Sequence, residues 1–182
     1  EYPVYCNLET KDYVIHKNQK PFELKHFIEF PREYESQTYE YLKESDLLIS
    51  AHYWDPSSPK IFTKDQTKQL SKLKIIGDVT CDVDGSIPTT IKSTTIEEPN
   101  FFLNTETFSE TNKSSSNLAV MAVDNLPSEL PRDSSTEFGN DIINTVIPFI
   151  LGKDDGRILN STITTEGRFL KKYNYLDEYI NS

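Results

Sequence analysis

Apolar residues in this chain gather in short runs separated by polar, helix-like stretches. Residues 3–8 (PVYCNL), 46–51 (DLLISA), 73–79 (LKIIGDV) and 118–123 (LAVMAV) carry apolar side chains at adjacent as well as alternate positions. That is the pattern of strands covered on both faces, as in a parallel sheet. Between the second and third runs, Thr63-Lys64-Asp65-Gln66 sets a hydroxyl three residues before a glutamine, so each side chain can satisfy the other's backbone N–H at a helix start. A helix from there to about Lys72 would supply the crossover that a parallel pair requires. Strands alternating with helices make the fold class α/β.

Ser134-Ser135-Thr136-Glu137 repeats the capping pattern, and Phe138, Ile142, Val146 and Ile150 then recur every fourth residue, which predicts a helix with one apolar face. Pro148 inside that pattern removes a backbone donor and should kink or end the helix, at about 3 kcal/mol in a regular interior. Two charged helices are expected over residues 22–29 and 32–42, interrupted by Pro31. Residues 104–117, rich in Thr, Ser, Asn and Glu without apolar periodicity, predict an exposed loop. From Arg157 onward the pattern predicts strands over 158–164 and 169–173 joined through Thr165-Glu166-Gly167, then a short helix near 176–180.

With 182 residues, 36% hydrophobic and 12% aromatic, the chain is too apolar to stay disordered. Its net charge of −10 gives no basic face to displace counterions from a phosphate backbone, so nucleic acid is excluded as a partner. No apolar run approaches the roughly 20 residues of a membrane span, and no signal peptide is evident. The expectation is a cytoplasmic protein with no membrane partner. Cys6 and Cys81 stand far apart without metal-ligand spacing and read as reduced structural thiols. The triplets Asn112-Lys113-Ser114 and Asn160-Ser161-Thr162 would matter only in a secreted protein.

An open α/β sheet invites a search for the glycine-rich turn that admits a pyrophosphate to a helix N-terminus. The glycines at 77, 85, 139, 152, 156 and 167 include no pair two residues apart, so neither the dinucleotide fingerprint nor a phosphate loop can be written on this chain. The first apolar run begins almost at once after Glu1, and a truncated chain is expected.

Four stretches carry a family resemblance: residues 46–56 (DLLISAHYWDP), 78–88 (DVTCDVDGSIP), 93–99 (STTIEEP) and 122–139 (AVDNLPSELPRDSSTEFG). In order and spacing they resemble the saccharopine dehydrogenase and lysine-ketoglutarate reductase family, related in fold to alanine dehydrogenase. The resemblance implies a partial Rossmann-type parallel sheet over residues 1–125, the second half of a nicotinamide-dinucleotide domain. A connecting helix over 126–151 and a return to the substrate domain over 152–182 would follow. It further implies NAD or NADP as cofactor, with Tyr53, Val79, Val123, Asp124, Asn125 and Leu126 at the cofactor. The proton-transfer residues would lie outside this chain, so no catalytic residue is expected in it and the chain alone should be inactive. Independently, ligands of open α/β sheets bind beyond the carboxyl ends of the strands, where these positions fall.

The implied reaction is hydride transfer at a C–N bond, between NAD(P)H and the imine of an amino acid and a 2-oxo acid, with lysine, 2-oxoglutarate and saccharopine leading. Alternatives are an alanine dehydrogenase-like enzyme, or a non-catalytic oligomerisation or regulatory domain; a homo-oligomer fits each. Several residues have plainer readings. His52 fits packing or hydrogen bonding better than acid catalysis. Asp78, Asp82 and Asp84 depart from a calcium-loop pattern and read as a polar loop rather than a metal site. Asp124 could simply cap a turn. Arg132 could clamp a carboxylate or pair with Asp133 or Glu129, and Trp54 fits core better than cofactor contact.

Overall fold

Residues 2–9, where a first strand is expected, carry no regular element in the computed structural model, which describes residues 2–114 and 117–180. Tyr2, Val4 and Tyr5 are exposed there, and a strand without a neighbour leaves its backbone groups unpaired. The first element is α1 (Thr10–Tyr13), opened by a reciprocal box between Glu9 and Asp12. It runs into β1 (Val14–His16), which pairs antiparallel with β2 (Tyr34–Ser36) across α2 (Leu24–Glu29).

The expected helix over 32–42 is therefore divided: a 3-10 turn at Pro31–Glu33, β2, and then α3 (Thr38–Leu42). The cause is tertiary. Tyr34 is buried with its ring 5.1 Å from both His16 and Phe27 and 6.0 Å from Phe22, and this aromatic cluster outweighs the local helical preference of a charged segment.

The main sheet is mixed. Its parallel part is β3 (Leu47–Ser50), β4 (Ile75–Asp78) and β7 (Leu118–Met121), in the spatial order β3-β4-β7, followed by β5 (Asn100–Asn104) and β6 (Ser109–Thr111), both antiparallel to their neighbours. Three of the expected strands thus form, two or three residues shorter than their apolar runs. The hairpin of β5 and β6 corrects the expected loop over 104–117, of which residues 115 and 116 lie outside the described residues. The crossover begins as expected at Thr63: its Oγ1 accepts from Gln66 N at 3.1 Å while Gln66 Oε1 accepts from Thr63 N at 2.8 Å. Such a cap stabilises by about 1 kcal/mol, but the helix, α4 (Lys64–Thr67), stops well short of Lys72.

Among the described residues, one face of this sheet is filled and the other is left open. Ile76, Val120, Leu118, Phe101 and Leu103 pack with Leu42, Ile61, Phe62, Leu70, Leu73 and Ile87, each buried side chain of this size contributing roughly 1.5–3 kcal/mol. On the opposite face Leu47 and Ile75, partners in register, are each 49% exposed, and Ile49 is 67% exposed.

Residues 130–182 form a second compact unit. Its main helix, α5 (Pro131–Thr145), starts earlier than the Ser134 capping pattern suggests, because Pro131 takes the first helical position, where its fixed φ favours a start. Thr136 turns its hydroxyl back to Arg132 O at 2.8 Å instead. The break expected from Pro148 falls at Val146, and α6 (Ile147–Leu151) carries the proline in its first turn. The segment expected as a strand from 158 begins as α7 (Arg157–Ser161). Its start is held by Asp154, whose carboxylate accepts from the backbone N–H of Gly156, Ile158 and Leu159 at 3.0–3.1 Å. Those three bonds satisfy donors a helix start leaves open, so the local side chain overrides the apolar alternation. The remaining hairpin is short, β8 (Thr164–Thr165) with β9 (Arg168–Phe169), turning at Glu166-Gly167. A 3-10 segment, Lys171–Leu176, and α8 (Asp177–Ile180) follow. Among the described residues no helix is long and apolar enough to cross a membrane.

Candidate functional site

The parallel strands β3, β4 and β7 end on one edge of the sheet, at Ser50, Asp78 and Met121. Since β5 runs the other way, its start at Asn100 lies at the same edge, opposite Met121. The stretch before it closes that edge: Thr94 N donates to Ala122 O at 2.9 Å, and Thr94 Oγ1 accepts from Ala122 N and donates to Pro99 O, both at 3.0 Å. The STTIEEP stretch is thereby explained as a clasp on the end of β7.

A cleft of about 330 Å³ opens beyond β3 and β4, lined by Ala51, His52, Tyr53 and Trp54 from one strand end and Val79, Thr80 and Asp82 from the other. A cleft of this size, at the carboxyl ends of neighbouring parallel strands, is where ligands of such sheets bind. A larger hollow of about 600 Å³ lies between β2 and α4. It is away from the strand ends, and one of its two lysines, Lys60, is committed to Asp84 O at 2.7 Å; the chemistry points to the smaller cleft.

The wall supplied by β4 is a tightly held loop. Asp78 is fully buried; Thr80 N and Oγ1 donate to its Oδ1 at 3.1 and 2.6 Å, and Thr90 Oγ1 donates to its Oδ2 at 2.6 Å. Three bonds satisfy a charge that would otherwise be costly to bury. Within the loop Cys81 and Asp84 adopt left-handed backbone, φ 50° and 56°, conformations that cost a non-glycine residue about 1–2 kcal/mol. Gly85 is packed so closely that a Cβ there would lie 2.5 Å from Asp82 Cβ and 2.8 Å from Asp82 O.

Of the residues expected at a cofactor, Tyr53 and Val79 line this cleft, and Tyr53 is almost wholly exposed. Val123 buries its side chain in the core, offering only its backbone, while Asp124 and Asn125 are exposed and Leu126 half-buried beyond β7. None of these four lines the cleft. In the loop beyond β4, burial first, then the charges of Asp82, Asp78 and Asp124, push the Cys81 thiol above its ordinary range. Trp54 is half-buried and donates from Nε1 to Pro59 O at 3.2 Å. Arg132 forms no ion pair with Asp133 or Glu129.

No sequence pattern marks Thr80 and Thr90, whose hydroxyls hold Asp78 in the loop, or Ser50 and Thr94, whose hydroxyls meet His52 and the end of β7. Nor does any pattern mark a second cluster, His16, His26 and Glu33, whose potential ligand atoms lie within 4.8 Å of one another. Asn18 N donates to His16 Nδ1 at 3.0 Å, and His16 Nε2 lies 3.1 Å from Glu33 Oε2. The cluster ties β1 to the turn before β2.

A mixed, mainly parallel sheet with helices and a cleft beyond its strand ends defines the class as an α/β domain of Rossmann type. Residues 8–170 match the family described as alanine dehydrogenase/PNT, C-terminal domain, and the chain belongs to that family. It is 27% identical to alpha-aminoadipic semialdehyde synthase of Arabidopsis thaliana over 96% of this chain and 18% of that protein. The mitochondrial alpha-aminoadipic semialdehyde synthase of Mus musculus is 22% identical over 94% of this chain and 22% of its own length. Alanine dehydrogenase 2 of Staphylococcus aureus is 30% identical over 55% of this chain and 24% of its own length. The chain spans about a fifth of the length of the curated relatives it matches.

Proposed function

We propose that the protein carrying this chain is an NAD(P)-dependent amino-acid dehydrogenase. It would transfer a hydride between NAD(P)H and the imine of an amino acid and a 2-oxo acid, with lysine, 2-oxoglutarate and saccharopine as the leading set. The observation that carries this reading is the strand-end cleft between β3 and β4 in a chain of the alanine dehydrogenase/PNT family. In this proposal residues 1–125 are the second half of the dinucleotide domain, 126–151 a connecting helix and 152–182 a return toward the substrate domain.

The residues fit such a group in part. A volume of about 330 Å³ suits one nucleoside rather than a whole dinucleotide, and the exposed Tyr53 ring stands at its wall. Tyr53 and Val79 would touch that nucleoside, with Val123, Asp124, Asn125 and Leu126 closing from the end of β7. The phosphate-binding glycine turn and the proton-transfer groups would come from elsewhere in the polypeptide, so this chain alone would not turn over. When bound, the nicotinamide supplies the hydride; the protein positions it and manages protons. The free thiols suit a reducing compartment, either the cytoplasm or the mitochondrion that the mouse relative's name specifies.

A second reading, alanine dehydrogenase activity, is favoured by the Staphylococcus aureus relative. The test is the oxidation of NADH and of NADPH by the full-length protein with lysine plus 2-oxoglutarate, with pyruvate plus ammonium, and with each substrate alone. Oxidation that needs both lysine and 2-oxoglutarate is expected; turnover only with pyruvate and ammonium would move the assignment to alanine dehydrogenase, and none with either pair would leave a non-catalytic domain.

A further inference from the structure

The two edges of the main sheet are built differently. At one, β6 is three residues long and polar, and its Glu110 is ion-paired with Lys92 at 2.7 Å. Charge and shortness are how proteins blunt a sheet edge against further pairing. At the other edge, β3 reads Leu-Leu-Ile-Ser, without a charge or a proline. Its carbonyls at Asp46 and Ser50 turn to β4, accepting from Lys74 N at 2.9 Å and Val79 N at 2.8 Å. Residues of a parallel strand address their two neighbours alternately, so the N–H and C=O groups of Leu47 and Ile49 point outward. Among the described residues no strand pairs with them there.

The open face of the sheet ends on the same strand. Two rows cross it in register, Leu47 beside Ile75 beside Ala119, and Ile49 beside Gly77 beside Met121. Neither row holds a charged residue. Met121 Cε and Ile49 Cγ1 close over Gly77, 3.6 and 3.9 Å from where a Cβ would stand, so the patch is continuous across three strands. Its most exposed side chain, Ile49, belongs to β3. An apolar face and an unguarded edge therefore meet on one strand, whereas the parallel strands of native sheets are covered on both faces.

We propose that β3 is an interior strand of the intact protein: a further strand of the same polypeptide, from outside these 182 residues, pairs with Leu47 and Ile49, and a helix joined to it lies over Leu47, Ile49 and Ile75. Most of the length of the relatives lies outside the part matched by this chain, which is where such a strand and helix would come from. A second copy fits less well, because a two-fold axis would set two four-residue strands against each other, well below the roughly 800 Å² per partner of a stable interface. The proposal rests on the reading of residues 1–125 as half of a larger domain and names the edge at which the rest joins. It does not depend on the cofactor.

The test uses the full-length protein and two readouts. In the wild type, amide hydrogen exchange resolved to single residues should find the Ile49 N–H exchanging roughly a hundredfold or more below the rate of an unstructured chain, as an interior strand does. In Ile49→p-benzoylphenylalanine, irradiation should cross-link the ring within one polypeptide to residues outside these 182, located by peptide mass spectrometry. An Ile49 N–H that exchanges as in an unstructured chain would overturn the proposal and leave β3 a true edge, and that readout needs no variant. A cross-link between two polypeptides would overturn it in favour of a second copy, and one confined to these 182 residues would overturn it as well. Neither readout involves a nucleotide, so a protein that binds neither NADH nor NADPH would sink the cofactor reading alone.

Discussion

Thr90 Oγ1 donates a 2.6 Å hydrogen bond to Asp78 Oδ2 across twelve residues of chain, and both residues are fully buried. The bond closes the loop that forms one wall of the cleft. Thr90→Val removes the donor while keeping the shape, leaving a buried carboxylate oxygen short of a partner. The expected destabilisation is about 1–3 kcal/mol, read by denaturant unfolding. Wild-type stability would mean that the loop holds without this latch.

Gly85 sets the other end of the same loop. Its N–H donates to Asp82 O at 2.9 Å, closing a tight turn, and a Cβ at this position would meet Asp82 at 2.5 and 2.8 Å. The conflict is with backbone and Cβ atoms, so the turn itself must open. Gly85→Ala is expected to cost about 1–3 kcal/mol as overpacking does and to weaken nucleotide binding by displacing Asp82 from the cleft wall. Unchanged stability and affinity would show that the turn yields freely.

These particulars show what a linear pattern carries. Strands β3, β4 and β7 were legible because a parallel strand is apolar on both faces, and that feature is local. Strand β5 was not, since an antiparallel strand near a sheet edge needs only Phe101 and Leu103 buried, too little to stand out beside Pro99. Strand β2 was hidden because Tyr34 sits among Arg32, Glu33 and Glu35, and its burial depends on rings from elsewhere in the chain. Tyr53 and Val79, which the family resemblance put at a cofactor, line the candidate cleft because they follow the ends of β3 and β4. The bond from Thr90 to Asp78 arises only when the loop closes, and no spacing announces it.

The pH dependence of stability isolates His52. Burial lowers its folded-state pKa below the ordinary 6.5, so the unfolded chain binds the proton first as the pH falls. The contribution to stability is complete above about pH 6.5 and is lost as the pH falls through that value toward the folded pKa. Other groups also take up protons on acidification, so the comparison is with His52→Gln. Wild type should lose more unfolding free energy than the variant between about pH 7.5 and pH 5. Equal losses would show that the imidazole titrates alike in the folded and unfolded chain.

Adjacent residues of β4 test the one-sided core. Ile76 is fully buried against Val120 and its neighbours, whereas Ile75 faces the uncovered side at 49% exposure. Successive side chains of a strand point to opposite faces, so one position separates a filled face from an open one. Ile76→Ala should cost about 2–5 kcal/mol through lost burial and the cavity left behind. Ile75→Ala removes the same atoms from a half-solvated position with little cavity to leave, and about 1 kcal/mol or less is expected. Both are read from denaturant midpoints at unchanged m-value. Comparable losses at the two positions in this chain would mean that the face bearing Leu47, Ile49 and Ile75 is covered in solution, and that the sheet packs on both sides.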